Sequence, residues 1–335
     1  MAVSRRAHAP GRVNLIGDHT DYTGGLVFPM AIDRGTTIEY VPHDDRIELR
    51  SAAAPGAVVV ELPVRLDPSL VEPAWGAYVA AMARELGSIR GLAGTVSSDI
   101  PAGAGLSSSA ALECAVGLAL GFDGTPTELA LTAQRAEHAA TGVPTGIMDQ
   151  LCIAAATAGH ATMIDCHRLD ITHVPIPDDV DVVVEFVMHR RLAGSPYADR
   201  VAECSRAEST LGPLRLADAV DVEAARPELD EVSFRRARHV VTENQRVRDF
   251  AAALASGDHA AAGAVMIDSH RSLRDDFDTS TPEMDAAVER LAGLRGVYGA
   301  RMTGGGFGGC VVVLSEPGAL TTGWRVRPSP GARHL

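Results

Sequence analysis

The sequence predicts an α+β protein in two domains, and three observations carry that prediction. Strand-like runs gather early and return at residues 180–188 and 298–314, while helical stretches follow them without a strict strand–helix–strand rhythm. At 335 residues the chain has room for about two domains of the usual ~100–200 residues. The segment Val174-Pro175-Ile176-Pro177-Asp178-Asp179 sets two prolines and two acids before a strand-like run, dividing the chain near Pro177 into residues 1–177 and 178–335.

Taken in order, LVFPMAI (26–32), TTIEYV (36–41) and RIELRS (46–51) read as strands separated by Gly or Asp turns. Leu106 to Leu120 is nearly continuously apolar after its serines, at a length that suits a buried helix stopped by Gly121. Thr127 to Ala140 is apolar on one side and ends at Gly142, which predicts a second helix capped by Thr127. Past the boundary, VDVVVEFVM (180–188) reads as a strand, 234–256 and 283–295 as helices, and YGARMTGGGFGGCVVVL (298–314) as strand, glycine turn and strand. No internal repeat or low-complexity segment appears.

Composition narrows the function. With 46% hydrophobic and 22% charged residues, the chain is ordinarily globular. A formal net charge of −13 argues against a nucleic-acid partner, since a phosphate backbone is bound by clustered Lys and Arg. The one basic stretch, Arg235-Arg236-Ala237-Arg238 leading into Gln245-Arg246-Val247-Arg248, reads as a solvated helix face. Five scattered cysteines without Cys-x-x-Cys spacing read as free thiols in a reducing cytoplasm. The N-terminal stretch lacks a signal-like apolar core and no apolar run approaches ~18 residues, so a cytoplasmic location and no membrane partner are expected.

Three constellations carry chemistry. Pro101-Ala102-Gly103-Ala104-Gly105-Leu106-Ser107-Ser108-Ser109 feeds a Gly and Ser loop into a buried helix, whose free N–H groups and positive dipole end suit a phosphate. A serine N-cap after a glycine turn is the plainer reading. Neither the P-loop nor the dinucleotide pattern fits here, and the literal G-x-G-x-x-G at residues 304–309 runs into a strand rather than a helix. Second, Asp18, His19 and Asp21 put three short polar groups within four residues, a density suited either to polyol hydroxyls or to a turn; a metal role for His19 with Asp21 lacks a second histidine pair. Third, Gly142-Val143-Pro144-Thr145-Gly146-Ile147-Met148-Asp149-Gln150 places Asp149 near a helix start, where an acid also serves the dipole.

In this order, GRVNLIGDHTDYTGG, PAGAGLSSSAAL, AEHAATGVPTGIMDQ, AGSPYADRVAEC and MTGGGFGGC resemble the galactokinase branch of the GHMP kinases, over a span from about Ala9 onward. The resemblance implies the two-domain GHMP kinase fold: an N-terminal ATP-loop domain, a C-terminal ferredoxin-like α/β sandwich, and the active site between them. It implies ATP-dependent phosphorylation of a sugar's anomeric hydroxyl with Mg²⁺, D-galactose being the first expectation and L-arabinose, galacturonate or N-acetylgalactosamine the alternatives. Asp149 would be the base and Arg12 its charged partner. Ser109 and Glu137 would hold Mg²⁺, and Gly103, Ala104, Gly105, Leu106, Ser107 and Ser108 would wrap the phosphates. Trp75 and Tyr78 would contact adenine; Asp18, His19, Thr20, Asp21, Gly146 and Tyr197 would bind the sugar.

Two departures stand out. Asp18 replaces the usual Glu, which would be expected to reach the sugar's C6 hydroxyl. The final segment follows Val313-Leu314 with little intervening sequence, so an edge element of the second domain is expected to be missing and assembly to be a monomer or weak homo-oligomer. A non-catalytic sugar sensor is the remote alternative; the intact serine loop, Arg12, Glu137 and Asp149 weigh against it.

Overall fold

Two β-sheets organise the computed structural model, which describes residues 4–101, 103–189 and 196–335. The first grows from β1 (Arg5–Ile16) and its antiparallel partner β2 (Leu26–His43). β3 (Arg46–Ser51) and β4 (Ala54–Glu61) form a hairpin; after α1 (Gly76–Glu85), β5 (Gly91–Ser98) enters between β2 and β3. Then come α2 (Ser108–Ala119), α3 (Pro126–Thr141) and α4 (Met148–Ala155), with α2 packed on β1 and β2. The near-continuous apolar character of α2 follows from its being covered on both sides, by the sheet and by its neighbouring helices. β6 (His160–Asp165) pairs with the start of β2 and with β7 (Asp170–Pro175).

The second sheet is antiparallel. β8 (Asp181–Met188) leads into α5 (Tyr197–Leu211), α6 (Ala219–Ala224), α7 (Glu231–Ser256), α8 (His259–Asp275) and α9 (Pro282–Ala292). β9 (Val297–Thr303) and β10 (Gly309–Ser315) follow, and β10 lies between β9 and β8. Phe234, Leu273, Phe277, Leu291 and Met302 close a core of their own between helices and sheet.

Several expectations need correction. Residues 26–32 and 36–41 are one 18-residue strand, because Gly35 is not a turn. It pairs with Pro10, where a Cβ would stand 2.6 Å from the Ala9 carbonyl oxygen, so the glycine permits close approach rather than reversal. The cap of α3 is Thr125, which forms a reciprocal capping box with Glu128 ahead of Pro126; Thr127 already lies inside the helix. The helix α8 lies outside the sequence-based expectation, although Asp258 supplies its cap by accepting from the Ala261 N–H.

The basic stretch is not a solvated face. Arg236 is 2% exposed and pairs with Glu203 at 2.6 Å and Asp278 at 2.9 Å, Arg238 pairs with Asp276, and Arg246 with Glu243 at 2.6 Å. Nor does the segment after Leu314 leave an edge bare: β11 (Trp324–Val326) pairs with the free side of β8. The chain then returns to the first sheet. Ser329 N–H donates to the Ala31 carbonyl, Ala332 N–H to that of Ile153, and β12 (Arg333–His334) pairs with β1. These last residues, assigned by sequence to the second unit, complete the first.

Candidate active site

The site forms where the inner end of β1, the loop before α2, the start of α4 and the loop between β9 and β10 meet. Arg12 is 2% exposed and points from β1 into this junction. Its Nε donates to Asp149 Oδ1 at 2.7 Å, its Nη2 to Oδ2 at 2.7 Å and its Nη1 to the Gly105 carbonyl at 2.7 Å. A bidentate guanidinium–carboxylate fork of this kind fixes orientation as well as charge. Asp149 stands in the first turn of α4 and also accepts from Ser107 Oγ.

Ser107 explains why the loop is open to an anion. It occupies the N-cap position of α2 in the left-handed region, with φ 59°, and its side chain caps nothing because the hydroxyl is turned to Asp149. Among the described residues no side chain answers the first amides of α2, and the helix start keeps its positive end. The cleft above it, about 650 Å³, is lined by Ala74, Tyr78, Gly103, Gly105, Leu106 and the three serines, and extends to Glu137, Thr145 and Asp149. Ala104 is wholly buried and does not line the cleft, and Ala102 lies outside the described residues, as do residues 193–195. Trp75 does not line it either: its ring packs on the core beside the cleft, with an indole N–H that has no partner among the described residues.

A smaller pocket shares Asp149, Glu137 and Thr145 with the cleft and is otherwise walled by Arg12, Asp18, His19, Asp21, Gly146, Met148, Tyr197 and Gly305. The sequence points to all of these but Thr145, Met148 and Gly305. Gly146 is glycine for steric reasons, since a Cβ there would fall 1.9 Å from Asp21 Oδ2. Burial, and next the charge of Asp149, push the Asp21 carboxyl up to about 7, against backbone N–H bonds from Tyr22 and Met148. His19 meets the Tyr22 hydroxyl at 3.1 Å and packs on the rings of Tyr197 and Phe277. Thr20 is a correction: it is fully buried and its hydroxyl donates to the Gly17 and Leu26 carbonyls, so it shapes the turn and does not face the pocket. Asp18 is 1% exposed, and Oδ1 accepts from Asn14 Nδ2 at 2.8 Å and Gly304 N–H at 3.1 Å while Oδ2 lies 2.7 Å from Arg301 Nη2.

Carboxyls accumulate beside the cleft. Glu137 accepts from Ser109 Oγ at 2.9 Å and Gln150 Nε2 at 2.5 Å, and Gln150 also reaches Glu113 at 3.4 Å. Burial first and Asp149 second raise the Glu137 carboxyl, and burial with Glu137 raises that of Glu113 further. Crowded acids of this kind suit a cation. Ser109 and Glu137 supply two hard oxygens, and among the described residues no group of three or more His, Cys, Asp or Glu forms a cage. That donor set fits Mg²⁺, which takes one or two protein oxygens and completes its shell with phosphate and water.

Comparison with known proteins gives a consistent result. The family model for the galactokinase galactose-binding signature matches residues 3–42, that for the GHMP kinases N terminal domain residues 73–159, and that for the GHMP kinases C terminal residues 250–321. The chain is 44% identical over 329 residues to a galactokinase of Chloroflexus aggregans, covering 93% of this chain and 84% of that protein. It is 41% identical over 327 residues to a human galactokinase, covering 93% and 83%. Its fold overlays the crystal structure of Lactococcus lactis galactokinase complexed with galactose at a TM-score of 0.93 and 30% identity, covering 99% of this chain and 95% of the other.

Proposed function

Since the chain belongs to the galactokinase family of GHMP kinases, we propose that it transfers the γ-phosphoryl group of ATP to the anomeric hydroxyl of D-galactose. The observation that carries this reading is the Arg12 fork on Asp149, which stands where a phosphate-ready helix start and a pocket of hydrogen-bonding side chains meet.

Phosphoryl transfer asks for positioning and charge more than for covalent chemistry. Asp149 orients the sugar hydroxyl and takes its proton as that oxygen attacks the γ-phosphorus directly, with no phosphorylated side chain in between. The bond from that phosphorus to the β–γ bridging oxygen breaks, and ADP leaves. Arg12 aligns the carboxylate through its two-pronged fork. The amides that open α2 and the glycines at 103 and 105 hold phosphate oxygens. Mg²⁺, held by Ser109 and Glu137, would supply neutralising charge on the phosphates. Asp21, His19 and Tyr197 bind sugar hydroxyls.

ADP release measured across D-galactose, L-arabinose, galacturonate and N-acetylgalactosamine tests the reading. Galactose is expected to give the highest kcat/KM and a 1-phosphate product. Absence of sugar-dependent ADP release, or phosphate on another hydroxyl, would overturn it. The inward commitment of both Asp18 oxygens is the reason to keep sugars altered at C6 in the panel.

A further inference from the structure

Among the described residues Arg301 has the largest side chain of the fully buried ones, and nothing in the phosphoryl-transfer chemistry uses it. It rises from β9 of the second sheet into the junction with the first. Its Nη2 stands 2.7 Å from Asp18 Oδ2 and 3.7 Å from Glu243 Oε1, and Nη1 reaches the Asn14 carbonyl at 3.4 Å. Its Nε has no partner among the described residues. Glu243 is paired more closely with Arg246, at 2.6 Å, so Asp18 is the nearer of the two acids to Arg301. His239, which burial lowers to about 4, stays neutral beside them and meets the Asp18 carbonyl at 3.1 Å.

Stability alone does not account for this cation. Buried ion pairs can often be replaced by packed apolar side chains at no loss, because desolvation offsets the attraction. What the pair does achieve is geometric. With Oδ2 drawn to Arg301, Oδ1 is left facing Asn14 and the Gly304 N–H. Gly304 opens the loop whose next residue, Gly305, lines the sugar pocket opposite the turn that carries His19 and Asp21. We propose that Arg301 is a positioning residue: it locks the rotamer of Asp18 and, through Asp18, sets the spacing between the sugar-binding turn and the glycine-rich loop.

The inference rests on the sugar-kinase reading and is tested so that the two can fail separately. Galactose is the probe, replaced by the best acceptor of the panel if another sugar wins; a protein that turns over no sugar refutes the function before this test begins. Arg301→Met should raise the sugar KM and Kd about tenfold or more, the usual consequence of losing a charge-assisted contact, with KM for ATP within about threefold. Arg301→Lys, which keeps a cation near Asp18, should recover most of that loss. In Arg301→Met/Asp18→Asn the sugar defect should be no larger than in Asp18→Asn alone, because the two residues act as one unit. Additive defects, or equal losses for sugar and ATP, would overturn the proposal. Should Arg301→Met fail to fold, hydrogen exchange of the wild-type segment 302–309 decides: protection by saturating sugar supports the coupling, and unchanged exchange refutes it.

Discussion

Asp21 offers the sharpest test of the pocket through pH. Its carboxyl is pushed from the usual 3.8 up to about 7 by burial and by Asp149. A sugar hydroxyl that donates to this group requires the ionised form, whose share rises from about one tenth at pH 6 to about nine tenths at pH 8 when the midpoint is near 7. Galactose should therefore bind about tenfold more tightly at pH 8 than at pH 6, read as Kd by calorimetry without nucleotide. Asp21→Asn should bind weakly and without that slope. Stability must run the other way: the folded protein holds a proton that the unfolded chain releases above 3.8, so this group's contribution falls as pH rises from about 4 to about 7. At about 1.4 kcal/mol per pH unit the change amounts to about 4 kcal/mol at most, visible as a shallower decline in the denaturation midpoint of Asp21→Asn. A Kd that is flat between pH 6 and 8, or a mutant with the wild-type slope, would refute the assignment.

The remaining expectations concern the same cleft and its scaffold. Asp149→Asn should retain sugar binding and lose about 10²–10⁴ in kcat, and turnover within a few-fold of wild type would remove Asp149 from the role of base. Ser109→Ala and Glu137→Gln should each shift the Mg²⁺ titration of activity to higher concentration, and titrations that overlay the wild type would take both residues out of the metal site. Thr125→Ala breaks the capping box of α3, which carries Glu137, and should lower stability by about 1 kcal/mol in urea denaturation; no change would mean that Glu128 alone holds that end.

Much of the site is legible in the sequence because its parts are local. Asp149 at a helix start and the serines at the head of α2 sit where short motifs announce them, and the strand that follows the glycine loop at 304–309 denies it a dinucleotide role. What escapes notice depends on distance along the chain. Gly304 meets Asp18 across 286 residues, and no periodicity signals such a contact. Thr20 misleads because a hydroxyl beside two ligand-like acids looks the same in sequence whether it faces a pocket or closes its own turn. The basic run in α7 shows only its charges in sequence, whereas the acids that bury it come from α5 and from the segment after α8. Gly35 misleads for a related reason: glycine marks both turns and close approaches, and only the facing strand distinguishes them.

The return of residues 329–334 to the first sheet bears on how the protein is made. Ser329, Gly331 and Ala332 bond to backbone groups of β2 and of the end of α4, and β12 pairs with Ala7 and His8 on the open side of β1. During synthesis those partners emerge first and wait for almost the whole second sheet to be translated before the missing strand arrives. Until then β1 presents an unpaired edge, the surface on which nascent chains pair wrongly with one another. A ribosome stalled before residue 329 should therefore hold a first domain that is collapsed yet more protease-sensitive along β1 than in the released protein, and the closing strand acts as a late latch on folding rather than as an ornament of the second unit.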